Sequence, residues 1–134
     1  MARGQLSLSV VEAGVGAVLV LVVTMGFVLG VPTADTREAQ LDAYASDAAT
    51  VLANEPPRHR GTTRLAEVAR SPDAFDRERA ALGRRVERLL PDNLMYRVET
   101  PHGAVGYRKP AGVAVGAARV TTAHGDVTIR VWYA

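Results

Sequence analysis

The sequence predicts an α+β protein, in which an N-terminal transmembrane helix precedes a small exported domain of two to three helices and a four-stranded antiparallel sheet. Three observations support this prediction. Residues 13–31 form an uncharged apolar run, and residues 35–90 place apolar side chains at helical spacing. After Asp92 the chain alternates apolar and polar residues between turn signals, as short strands do.

The uncharged run at residues 13–31 predicts a transmembrane helix. It contains 19 residues. At about 1.5 Å per residue a helix of that length spans roughly 28 Å, close to the ~30 Å hydrocarbon core of a bilayer. A core helix of a soluble protein is the alternative, but only ~100 other residues are present to bury it. We therefore expect a single-pass membrane protein whose residues 32–134 form one extracytoplasmic domain.

Residues 1–12 are expected to be a cytoplasmic lead-in. Arg3 and the amino terminus favour retention of this end in the cytoplasm under the positive-inside bias, which places the following domain outside the cell membrane. A secretory signal that is removed after export is the alternative, although its apolar segment usually has only ~7–15 residues. Glu12 begins the apolar run, where it either lies at headgroup level or pairs with the terminal amine of a neighbouring subunit.

The pattern R-G-Q-L-S-L, followed by Glu12 and an apolar helix, resembles the class III signal of archaeal type IV pilins and pilin-like proteins. More narrowly, the chain resembles an uncharacterised family of small archaeal pilin-like membrane proteins encoded near secretion-ATPase genes. The resemblance implies that a prepilin-type peptidase cuts between Gly4 and Gln5 and leaves the apolar helix on the subunit. In the better-known pattern the glutamate is the fifth mature residue, whereas here Ser9 is fifth and Glu12 is eighth. The implied partners are membrane lipid, other pilin-like subunits and an assembly platform.

Small residues in the apolar run suggest a surface for helix contacts. Gly26 and Gly30 form a G-x-x-x-G pair, and Ala13 and Ala17 form a second pair at the same spacing. Such spacing lets helices approach closely in lipid, although glycine is also frequent in membrane helices that lack this role. The run has four glycines, which favours one face as a contact surface: Gly14, Gly16, Gly26 and Gly30.

Helical spacing predicts three helices in the exported domain. The first begins at Asp35, which forms a potential capping box with Glu38, and ends before Pro56. A short helix covers residues 63–70, and Ser71 then caps the third helix. Interleaved charges on the third helix indicate a salt-bridged solvent face, with a docking patch for a partner or an anionic surface as the alternative: Asp76, Arg77, Glu78, Arg79, Arg84, Arg85, Glu87 and Arg88.

The C-terminal part of the chain predicts an antiparallel meander with one face on the third helix. Four runs have strand-like alternation: residues 94–100, 104–109, 113–122 and 127–133. Trp132 is expected on the face opposite Ile129, either as a partly covered residue or as a contact to a neighbouring subunit. The last strand is expected to be able to pair with the sheet edge of a partner.

No pattern of catalytic residues stands out, so we do not expect an enzyme. The chain lacks cysteine, which excludes thiolate catalysis and cysteine metal sites. His59, His102 and His124 each lie in a predicted loop without a second ligand at helical spacing, so we expect neither a metal nor a cofactor. Residues 58–61 form a basic loop, interpreted as a solvated turn rather than a phosphate or headgroup contact. The net charge of +2 is too small to indicate nucleic acid.

The sequence therefore favours a structural subunit, a minor pilin or pseudopilin-like component of an archaeal type IV pilus-like surface filament or secretion system. Such a subunit would assemble through its apolar helix. The alternative is a single-pass membrane-anchored module that binds a ligand outside the cell.

Overall fold

The structure is a computed structural model that describes residues 2–30 and 34–134. Only the backbone is described for residues 2–8, 27, 28, 34 and 35. The chain divides into two units, Met1–Thr33 and Ala34–Ala134. The first is an apolar helix and the second contains helices and a four-stranded antiparallel sheet, so the predicted α+β class is confirmed.

Helix α1 (Ala2–Val28) is longer at its start than the predicted span and shorter at its end. Its 27 residues correspond to roughly 40 Å. The N–H of Leu29 donates to the carbonyl of Met25 at 2.8 Å, and Gly30 lies beyond the helix. Pro32 follows two residues later, and proline lacks the backbone donor that a continuing helix would need.

Three helices follow in the second unit: α2 (Ala34–Asn54), α3 (Arg64–Ala69) and α4 (Pro72–Leu89). The predicted cap Ser71 is in place, because it accepts the N–H of Ala74, and Thr63 caps α3 in the same way by accepting the N–H of Ala66. Each side chain thereby pairs with a backbone donor that has no partner within its helix. The predicted cap of the first helix, Asp35, is instead inside α2, which already includes Ala34.

The sheet contains β1 (Leu94–Thr100), β2 (Gly103–Gly106), β3 (Gly116–Thr122) and β4 (Gly125–Tyr133). Its order is β2-β1-β4-β3, so the predicted meander is wrong. The chain forms two hairpins, and residues 107–115 carry it from one edge strand to the other. Nine extended residues reach roughly 30 Å, which exceeds the ~14 Å width of three strand spacings.

Burial explains this order. The two central strands, β1 and β4, carry the large apolar side chains that the core requires, whereas β2 and the first half of β3 are mainly glycine and alanine. Pairing the two apolar strands at the centre concentrates the buried area. The core joins one face of the sheet to the helices: Leu41, Leu52, Leu65, Val68, Phe75, Leu82, Val86, Val98, Ile129 and Val131.

Helix α2 lies very close to edge strand β3. A Cβ atom added to Gly116 would overlap the backbone of Leu41, so no larger residue fits there without moving the helix. One residue further along β3, the N–H of Ala117 donates to Oδ1 of Asp42 at 3.0 Å. This close approach fixes α2 against the sheet and pairs a backbone donor of an edge strand.

The last strand differs from the prediction in position. β4 lies between β1 and β3 and has neighbours on both sides, so it cannot add to the edge of another sheet. Trp132 is only 2% exposed, whereas we expected partial cover or a subunit contact. It alternates with the core side chains Val131 and Ile129 and therefore lies on the sheet face away from the core cluster, but it is covered within the domain.

Candidate functional site

The most conspicuous surface of the described chain is helix α1. An 18-residue window, Ser9–Gly26, has a mean hydropathy of 2.0, and none of it is buried. It is the one described helix that is long and apolar enough to cross a membrane. Exposed apolar area on this scale marks a surface that meets lipid or protein. The window therefore needs an environment that the chain itself does not provide.

Two faces of this helix differ in side-chain size. Within Ser9–Gly26, at about 100° per residue, one strip roughly 80° wide carries mainly small residues. We call this strip the small-residue face: Ser9, Ala13, Ala17, Val20 and Thr24. The opposite strip, the bulky face, carries Val11, Val15, Val18 and Val22. Small residues allow close contact between helices in lipid, so the small-residue face is the better packing surface.

A hydrogen bond makes the small-residue face compatible with lipid. The hydroxyl of Thr24 donates to the carbonyl of Val20 at 2.7 Å. A polar group left without a partner in hydrocarbon costs several kcal/mol. Because Thr24 bonds to its own helix, its methyl group remains available for packing and its hydroxyl requires no outside partner.

The structure does not gather the glycines on one face. Gly14 and Gly26 are exposed and lie 12 residues apart in α1, which is roughly 120° around the helix axis. Nothing lies within 4 Å of a Cβ atom built on either residue. Gly30 lies beyond the helix, so the predicted Gly26–Gly30 pair is not a helical pair. Of the two predicted pairs, the one formed by Ala13 and Ala17 lies on the small-residue face.

The remaining predicted site residues lie early in α1. Glu12 is exposed and helical. Gly4 and Gln5, the expected processing site, also lie within the helix, and the side chain of Gln5 is outside the described residues. The predicted lead-in is therefore continuous with the apolar helix.

A second candidate site lies in the domain, where two glutamates are each only 1% exposed. The carboxylate of Glu67 in α3 accepts three successive backbone N–H groups. Arg58 donates at 3.0 Å and His59 at 2.8 Å, and the N–H of Arg60 completes the set. Burial alone would raise the pKa of Glu67, but these three donors lower it below its ordinary value of 4.5. The carboxylate therefore stays ionised in the folded domain.

Glu78 in α4 binds side chains of the same loop. Its Oε1 lies 2.6 Å from Nδ1 of His59, and its Oε2 accepts from Nη1 of Arg58 at 3.3 Å. The Nε atom of Arg77 lies 3.6 Å from Oε1. No buried side-chain polar atom in the described part of the chain lacks a partner. The two glutamates thus attach one loop to two helices.

His59, Glu67 and Glu78 each offer one ligand atom that lies within 4.8 Å of the other two, a spacing that a metal ion could bridge. The donor set argues against a metal, because the Glu67 oxygens accept backbone N–H groups and Glu78 already binds Arg58 and His59. Nearby arginines would also repel a cation. This cluster therefore has a structural role, with hydrogen bonds and ion pairs in place of a metal.

The sequence analysis missed this cluster. It placed Glu78 on a solvent face and treated His59 as an isolated loop histidine. One signal was available, since Glu78 follows Phe75 by three residues and precedes Leu82 by four, which places it on the apolar face of α4. The basic loop also differs from a solvated turn, because its backbone N–H groups are bound to Glu67 and not left to water.

Residues 2–133 match the model of a family of unknown function, DUF7262, so the match includes α1 and the domain together. No curated protein and no solved structure matches the chain.

Proposed function

We propose that this chain, which belongs to the family DUF7262, is a membrane-anchored structural subunit that assembles with other subunits through its apolar helix. In the more specific form of the proposal, it is a minor pilin or pseudopilin-like component of an archaeal type IV pilus-like filament or secretion system. The domain lies outside the cell, and a prepilin-type peptidase processes the chain between Gly4 and Gln5.

One observation carries the proposal: the window Ser9–Gly26 is apolar and has none of its residues buried, while the domain has a complete core of its own. The core cluster is made of residues of the second unit, and the exposed apolar window is available for lipid and other helices. Its small-residue face supports protein contact in particular, because bulky apolar residues all round would suffice for a lipid anchor alone.

Such a subunit functions by packing against other helices and catalyses no reaction. In lipid the association of helices depends on van der Waals contact and interhelical hydrogen bonds, and close approach requires small side chains. Glu12 is the one ionisable residue in the window Ser9–Gly26. In this proposal it pairs with the terminal amine of a neighbouring subunit and sets the axial position of one helix against the next.

Mass spectrometry of the N-terminus of the protein extracted from membranes tests the proposal. A mature chain that starts at Gln5 is the expected result, and the variant Gly4→Val should accumulate unprocessed. Ser7→Ala, on the far side of the expected cut, is the matched control and should be processed normally. A chain that starts at Met1 or Ala2 would contradict processing by a prepilin-type peptidase.

Two other outcomes separate this proposal from its alternatives. A mature chain that starts near Asp35 and is soluble would show that the apolar run is a secretory signal, and the structural role would then be wrong. A chain that keeps α1 but remains monomeric in membranes would favour the membrane-anchored binding module.

A further inference from the structure

Two arginines face each other on the side of the sheet opposite the core. Arg97 in β1 and Arg130 in β4 are direct cross-strand partners. Their neighbours along the strands, Val98 and Ile129, are fully buried in the core, so the arginines lie on the other face. Like charges directly opposite each other destabilise a sheet. Such an arrangement requires a compensating negative charge.

A single carboxylate within the described domain supplies part of that charge. Oε2 of Glu99 lies 2.5 Å from Nη1 of Arg130, and Oε1 of the same residue lies 3.4 Å from Nε of Arg97. The hydrogen bond from Arg130 lowers the pKa of Glu99, which is therefore ionised. One negative charge is thus shared by two guanidinium groups that remain about a third exposed, at 34% and 35%.

Two more cations line the same groove. Arg108 and Lys109, from the connection between β2 and β3, border a space of about 440 Å³ together with Arg97, Glu99 and Arg130. We call this space the arginine groove. Within the described residues no acidic side chain forms an ion pair with Arg108 or Lys109. The groove therefore has four cations and one anion.

The edge strands leave room above the two arginines. Gly106 of β2 pairs with Arg97, and Ala117 of β3 pairs with Arg130. Neither neighbour has a side chain large enough to cover a guanidinium group. A ligand can therefore approach both arginines from solvent at once.

We propose that the arginine groove binds a phosphate group, with Arg97 and Arg130 as its main contacts. The planar guanidinium group presents paired N–H donors that match the oxygens of phosphate, and two such groups side by side can hold one dianion. The bound phosphate supplies negative charge that balances the positive charge of the two facing arginines. The phosphate belongs either to a soluble phosphate ester or to the headgroup of an anionic phospholipid.

Binding of inorganic pyrophosphate to the full chain in neutral detergent tests this proposal. Trp132 is the one tryptophan of the chain and lies two residues from Arg130 on the same strand face, so its fluorescence reports on the domain. We expect saturable binding and a raised melting temperature, both weakened by salt. The variants Arg97→Gln and Arg130→Gln should each weaken binding by about tenfold or more. Arg84→Gln, an exposed arginine of α4 that undergoes the same charge change, should bind within about twofold of the parent.

The melting temperatures of the variants without ligand distinguish a folding defect from a binding defect. Arg97→Gln leaves the contact between Arg130 and Glu99 in place and removes a like-charge repulsion, so it should melt at or above the parent temperature. Arg97→Lys keeps the charge but loses the paired donors, and it should bind between Arg97→Gln and the parent.

The source of the phosphate is distinguished in lipid nanodiscs. If phosphatidylglycerol discs raise the melting temperature over phosphatidylcholine discs, and Arg97→Gln abolishes the difference, the ligand is a headgroup. If the two kinds of disc give the same melting temperature while pyrophosphate still binds, the ligand is a soluble phosphate. The proposal is overturned if the parent binds neither phosphate source, or if Arg97→Gln and Arg130→Gln bind as tightly as Arg84→Gln.

Discussion

The Nδ1 atom of His59, in an exposed loop, lies 2.6 Å from Oε1 of Glu78, whose side chain is only 1% exposed. The neighbouring glutamate Glu67 binds the backbone of the same loop. Together the two carboxylates fasten a loop rich in arginine to α3 and α4. We therefore expect this loop to respond as one unit when either glutamate is changed.

Removal of Glu67 should destabilise the domain strongly. Glu67→Ala leaves three backbone N–H groups without their acceptor, and the free energy of unfolding should fall by about 2–4 kcal/mol. Urea unfolding in detergent, followed by Trp132 fluorescence, measures the change. The exposed residue Glu38 in α2 provides the control, because Glu38→Ala should stay within about 0.5 kcal/mol of the parent. Equal effects at both positions would refute the assigned role of Glu67.

Stability should decline in acid through Glu67. Its folded-state pKa lies below the ordinary value of 4.5, so the unfolded chain takes up the proton first as the pH falls. The stabilisation is present above about pH 4.5 and is lost as the pH falls through the folded pKa. Unfolding free energies measured from about pH 7 to about pH 3 should fall less steeply in Glu67→Gln than in the parent. Glu99 adds a slope of the same sign, so the variant keeps a residual dependence. An unchanged slope in the variant would be inconsistent with this account.

Metal ions should not stabilise the cluster of His59, Glu67 and Glu78. Its carboxylate oxygens already accept N–H groups, and arginines surround it. An ion bound at 100 times its dissociation constant would add about 2.7 kcal/mol to the free energy of unfolding. We expect neither zinc nor a chelator to change the melting temperature of the parent. A rise with zinc that disappears in His59→Ala would instead identify a metal site.

Gly116 should tolerate no side chain. Gly116→Ala places a Cβ atom against the backbone of Leu41, and the resulting displacement of α2 should cost about 1–3 kcal/mol. Its neighbour Ala117 is exposed, so Ala117→Ser should have an effect of less than about 0.5 kcal/mol. Thermal unfolding of the two variants provides the comparison. A stability of Gly116→Ala equal to that of Ala117→Ser would show that α2 does not require this close approach.

Local signals in the sequence predict the elements of the fold well. Ser71 caps α4 as its position before apolar spacing predicts, and β1 has the predicted bounds. The order of the strands depends instead on which strands bury most apolar area when paired, and local alternation cannot reveal this. The predicted meander order is therefore wrong, although all four predicted strands are present.

The site residues were harder to predict from the sequence for a related reason. Glu78 resembles its exposed neighbours in composition, and only its position between Phe75 and Leu82 places it on the buried face. The pairing of Arg97 with Arg130 depends on the register of two strands that are distant in sequence. Neither the burial of Glu78 nor the pairing of the two arginines produces a short motif in the sequence. By contrast, the apolar run at residues 13–31 could be recognised because its signal is local and continuous.

Single-cysteine crosslinking across α1 in native membranes tests most directly the central claim that this helix is a subunit contact, here between two copies of the chain. The chain has no cysteine of its own, so any disulfide between two copies reports contact at the introduced residue. We expect strong crosslinks from Ala13→Cys, Ala17→Cys and Thr24→Cys on the small-residue face. We expect weak crosslinks from Val11→Cys, Val15→Cys and Val22→Cys on the bulky face. The crosslinking yield should therefore vary along the helix with a period of about 3.6 residues. Equal crosslinking on both faces, or none at any position, would contradict assembly of the chain with its own copies through this helix.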